Sequence, residues 1–144
     1  MTPRFRAPTL TATAFALALA TSSGIVAAAD MSEGLKLSGA QEVPPVSTAA
    51  AGAGAIKIAA DGSVSGSIAT TGMEGMAAHI HIAAMGKNGP VIVPLAKTAE
   101  GVWSVPPGAK LTPDQLKAYQ AGELYVNVHT AANKGGEIRA QMKP

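Results

Sequence analysis

Two stretches of this chain alternate apolar and polar residues with a period of two. That alternation fits a strand with one buried face and fits a helix poorly. In Ala77-Ala78-His79-Ile80-His81-Ile82, Ile80 and Ile82 fall on one side and both imidazoles on the other. In Glu123-Leu124-Tyr125-Val126-Asn127-Val128-His129, Leu124, Val126 and Val128 share one side, and Tyr125, Asn127 and His129 the other. The chain has three histidines, and all of them lie on these polar sides. If the two strands are neighbours, His79, His81 and His129 converge on one surface, and three imidazoles are the donors of a copper, zinc or nickel site.

The remaining segments extend the β pattern. Leu35 and Leu37 mark a first strand running towards Pro44-Pro45. Ala51 to Ala59, Asp61-Gly62 and Val64 to Thr70 read as a hairpin, weakened by Gly52 and Gly54. Val91 to Leu95 and Val102 to Val105 are short apolar strands, and Leu124 to Thr130 with Glu137 to Met142 forms a final pair. One helix stands apart. Thr112-Pro113-Asp114-Gln115 supplies an N-cap, a proline at the first helical position and a glutamine three residues after the cap, and Gly122 supplies a stop. Leu116 and Tyr119 mark its packed face. Many short strands, frequent turns and one short helix predict a mainly β domain: an antiparallel sandwich or barrel, immunoglobulin-like or superoxide-dismutase-like.

The N-terminus reads as a signal for export. Arg4 and Arg6 precede an apolar run from Leu10 to Ala20, and Ala27-Ala28-Ala29 gives a small-residue cleavage pattern. Residues 1–29 are therefore expected to be a signal peptide, with one domain over 30–144 beginning at Asp30 in the periplasm or outside the cell. No later segment has the length of a membrane span. The formal charge of +2 belongs to Arg4 and Arg6, without which nine basic residues face nine acidic ones. A neutral domain with no basic patch or stacking platform argues against nucleic acid. Both phenylalanines, Phe5 and Phe15, lie in the leader, and there is no cysteine. Any metal must then be held by nitrogen, oxygen or thioether.

Three separated motifs resemble the CHRD (chordin) domain family. They are Leu37-Ser38-Gly39-Ala40-Gln41-Glu42-Val43-Pro44-Pro45-Val46, then Ala78-His79-Ile80-His81 with Gly89-Pro90-Val91-Ile92-Val93-Pro94-Leu95, and last Gly122 to Thr130 with Asn133 and Gly135 to Arg139. The resemblance implies a β-rich extracellular domain and brings no established enzyme activity. His79-Ile80-His81 is also similar to the His-x-His copper ligands of copper/zinc superoxide dismutase, whose copper lies outside its barrel. With no fourth histidine and no cysteine pair, the chain departs from that enzyme.

Three readings follow. The leading one is an exported protein binding a metal ion through His79, His81 and His129, most simply copper, with zinc as the alternative, for metal holding, delivery or tolerance. Met85 follows the histidine strand directly and is the best thioether candidate, ahead of Met73 and Met76; thioether selects copper(I). The second is a structural or protein-binding module, or a homo-oligomer, in which the imidazoles bind no metal. The third is a redox enzyme like superoxide dismutase. On the bland view, Tyr125 and Asn127 are a solvated strand face, the methionines fill gaps, and Glu137 with Arg139 is a surface ion pair. Gly135-Gly136 reads as a turn, since no phosphate loop follows. No serine or acid stands in a catalytic spacing.

Overall fold

A computed structural model describes residues 34–144. The segment expected to be a signal peptide, residues 1–29, lies outside the described residues. Eight strands form a closed antiparallel barrel: β1 (Leu35–Ser38), β2 (Ala51–Ile58), β3 (Val64–Thr71), β4 (Ala77–Ile82), β5 (Val91–Ala99), β6 (Val102–Ser104), β7 (Leu124–His129) and β8 (Ile138–Met142). Around the barrel the order is β1-β2-β3-β6-β5-β4-β7-β8. The β4-β5-β6 meander is thus inserted in reverse between β3 and β7, a Greek-key arrangement. This reversal puts β4 beside β7, so that the two histidine strands are hydrogen-bonded neighbours.

The alternation seen in sequence fills the barrel. Ala78, Ile80, Leu124, Val126, Val128, Ile138, Ala140 and Met142 point inward and are essentially buried. They meet Leu37, Ile68, Val93, Leu95 and Trp103 from the other strands. With no phenylalanine in the domain and no disulfide, this aliphatic core and the closed hydrogen-bond ladder carry the stability.

The expected hairpin around Asp61-Gly62 and the final strand pair are present. β5 runs further than its apolar stretch, to Ala99, because it changes partners. Val91 to Leu95 pairs with β4, and Ala96 to Ala99 with β6. Residues Ala96 to Ala99 are exposed and lack an apolar face, so nothing in the sequence marks them as strand. Pro94 lies before β6 pairing begins, where its missing N–H interrupts no ladder on that side.

The helix α1 (Pro113–Gln120) has the expected start and stop. Thr112 Oγ1 accepts from Gln115 N–H at 3.2 Å, and Gln115 Oε1 accepts from Thr112 N–H at 2.9 Å. At its end Gly122 N–H donates to Tyr119 O and Glu123 N–H to Ala118 O, both at 2.8 Å, the paired bonds of a Schellman stop. Ala118 and Tyr119, rather than Leu116, pack on the core.

Burial and capping give an ordered expectation. Ile138→Ala should cost about 2–5 kcal/mol, whereas Thr112→Ala should cost about 1 kcal/mol. Urea unfolding of the two variants checks this, and a cap variant less stable than the core variant would contradict the packing described.

Candidate metal centre

The outer face of β4, β7 and β8 carries the polar residues in two cross-strand rows. His79 lies opposite Asn127, which lies opposite Arg139; His81 lies opposite Tyr125, which lies opposite Gln141. His129 sits at the end of β7, one diagonal from His79. On β5, one residue more than on β4 separates the pairs Ile80↔Val93 and His81↔Val91. Such a bulge re-aims side chains beside it.

This face is polar yet covered. Tyr125 is 2% exposed, Asn127 1%, Arg139 1% and His81 7%. Three segments lie over it: the strap after β1 carrying Glu42, the loop of residues 83–90, and the loop of residues 130–137. The solvated-face reading of Tyr125 and Asn127 is therefore corrected. So is the surface ion pair. Glu137 accepts instead from Thr48 at 2.7 Å, Thr130 at 2.6 Å and Asn133 at 3.2 Å. Arg139 turns beneath the loop, donates to Lys87 O at 2.9 Å, Asn88 Oδ1 at 3.2 Å and Gln141 Oε1 at 3.0 Å, and stacks 3.4 Å from the Tyr125 ring centre.

The other side of Tyr125 holds His81. The two rings are nearly parallel, 5° apart in plane, with centroids separated by 4.7 Å. His81 Nδ1 donates to Gly89 O at 2.9 Å. A carbonyl only accepts, so Nδ1 carries the proton and the lone pair is on Nε2. Gly89 is required here, since a Cβ would lie 1.9 Å from Ile82 O. His129 repeats the device, with Nδ1 donating to Lys134 O at 2.8 Å. Its Nε2 lies 3.1 Å from His79 Nδ1.

One donor nitrogen from each histidine lies within 4.8 Å of the other two. Two metal–nitrogen bonds of about 2.0–2.1 Å that span the 3.1 Å pair would subtend roughly 95–100° at the ion. The same pair shares a hydrogen bond when one nitrogen is protonated. His81 differs: its Nε2 is buried and has no partner among the described residues. The cluster thus offers three imidazoles, two of them oriented by backbone carbonyls in the manner of metal-ligating histidines.

Electrostatics disfavour protonation of His79 and His81. Burial, then the His129 and His81 rings, holds His79 below the ordinary 6.5. Burial also depresses His81; the Gly89 hydrogen bond and the neighbouring Asn127 amide oppose this, and His129 and Arg139 add to it. Burial raises the Glu42 carboxyl above 4.5, against the pull of Arg139.

The family profile of the CHRD domain matches residues 34–142. The chain belongs to the CHRD domain family. No curated protein and no solved structure matches it. All three CHRD motif segments meet at the covered face. The first supplies the strap and Glu42, the second β4, its loop and β5, and the third β7, its loop and β8. Met85 stands 71% exposed on the loop over His81, and Met76 is 67% exposed. Sequence reasoning did not place Arg139, Glu42 or Gln141 at the site; the one available signal was that Arg139 and Gln141 alternate with the apolar residues of β8.

The depressed histidine pKa values set a sign. The folded chain takes up these protons less readily than the unfolded chain. Their contribution is therefore fully present above about 6.5 and is lost as pH falls through the folded values. Metal-free protein should show a lower urea midpoint at pH 5.5 than at 7.5, and His79→Ala/His81→Ala should flatten that difference. A wild-type midpoint that holds or rises on acidification would contradict it.

Proposed function

We propose that this CHRD domain is an exported metal-binding protein that holds copper through His79, His81 and His129, for storage, delivery or tolerance outside the cytoplasm. The observation that carries the reading is His81. Its ring is clamped by Tyr125 and by the Gly89 carbonyl, and its remaining nitrogen is a buried lone pair without a protein partner. A buried acceptor left unpaired costs about 1–3 kcal/mol, and an ion shared with His79 and His129 offsets that cost.

Copper is favoured by the donors. Nitrogen sites bind copper(II) more tightly than zinc, and imidazole also serves copper(I). No carboxylate joins the three-histidine group among the described residues, so hard, oxygen-seeking ions such as calcium and magnesium are poorly served. Met85 is the thioether this reading offers as a further donor, with water as the alternative. Export rests on the leader: the native product should have the intact mass of a chain starting at Asp30, and a Met1 start would refute it.

Untagged protein titrated with copper against a competing chelator tests the site. His79→Ala/His129→Ala should weaken binding by at least about 100-fold while circular dichroism stays unchanged, because these side chains lie outside the core. Binding in the wild type should also fade as pH drops through the imidazole range. Equal affinity in the two proteins would overturn the metal reading and favour the protein-binding module.

A further inference from the structure

A second soft-donor feature lies where the segment before β4 meets the loop of residues 130–137. A shallow pocket of about 530 Å³ is lined by Met73, Glu74 and Met76 on one side, and by Thr130 to Ala132 and Glu137 on the other. Met73 and Met76 both line this pocket, and its two ionisable lining residues are both carboxylates. Hydrogen bonds from Thr130 and Thr48 hold Glu137 below the ordinary carboxyl pKa, so it is ionised. Those bonds engage both its oxygens and fix its negative charge beside the pocket. Soft neutral sulfur beside fixed negative charge suits a soft monovalent cation.

The surroundings hold this arrangement in place. Gly75 packs so tightly on the core that a Cβ would lie 2.8 Å from the Trp103 indole and 3.1 Å from Val128. The backbone between the two methionines is thus pinned to the barrel. Met76 N–H donates to His129 O at 2.8 Å, which ties the segment to the strand carrying His129. Met76 is also one of only three large apolar side chains exposed among the described residues. Met73, by contrast, is half-buried against the core.

We propose that Met73 and Met76 form a thioether site for copper(I), or for silver(I) in its place, at the rim of the histidine centre. It captures the soft ion at the surface, next to the strand that supplies His129. Transfer from it to the imidazoles rests on the copper reading above; capture itself does not.

Silver(I) is the probe, added to the full chain labelled with carbon-13 at the methionine methyls. Met73 and Met76 should shift together and saturate at one equivalent, while Met142, which is 1% exposed, stays unmoved. In His79→Ala/His129→Ala, where the histidine centre no longer draws silver to Met85, that methionine is the control for exposure alone. The same shifts should persist in His79→Ala/His129→Ala, so failure of the histidine centre would leave this result intact. Met73→Leu/Met76→Leu, a volume-conserving pair, should lose that equivalent of silver with an unchanged fold. Met76 and Met85 responding alike in His79→Ala/His129→Ala, or neither Met73 nor Met76 responding in either protein, would overturn the site.

Discussion

The structure depends on covering a polar face while pairing most of its polar atoms. β7 is buried on both sides, by apolar residues inside the barrel and by Tyr125 and Asn127 outside it. Every polar atom placed there must find a partner or cost free energy. Backbone carbonyls of two loops supply most of the acceptors. Lys87 O takes Arg139, Gly89 O takes His81, Lys134 O takes His129, and Gly135 O takes Asn127 at 3.4 Å. The loops are in turn held down by the side chains they cover. Asn88 extends the arrangement to the strap by donating to Val43 O at 2.6 Å.

The same pairing decides the chemistry. Because carbonyls fix the Nδ1 protons of His81 and His129, their basic nitrogens are Nε2. The guanidinium stacked under Tyr125 adds positive charge close to His81 and opposes its protonation. Glu42 is 4% exposed and supplies compensating negative charge to Arg139 without joining the histidine group. Its Oε1 and Asn127 Oδ1 are also unpartnered among the described residues. Three of the four unpaired buried side-chain atoms among the described residues therefore gather on this face, the fourth being Trp103 Nε1 in the core.

The strands, the capped helix and the histidine cluster were legible in the sequence because each rests on local periodicity or a local motif. Alternation says that His79, His81 and His129 share the side opposite Ile80 and Val126. It says nothing about whether loops later cover that side. That is why Arg139 read as a surface charge and Tyr125 as a solvated ring: their burial depends on residues 83–90, far away in sequence. The extra length of β5 was hidden for a related reason, since Ala96 to Ala99 is paired through its backbone and buries no apolar face. Barrel closure rests on the single pair Ser38↔Arg139 between β1 and β8, a long-range contact without a sequence signature.

The central claim is that the fold presents His81 Nε2 and His129 Nε2 as lone pairs towards His79. Long-range proton–nitrogen correlation of the imidazoles in metal-free protein at pH 7.5 tests this most directly. Both rings should appear as neutral tautomers protonated at Nδ1, with Nε2 at the chemical shift of an unprotonated nitrogen. Either ring protonated at Nε2, or as an imidazolium, would contradict it.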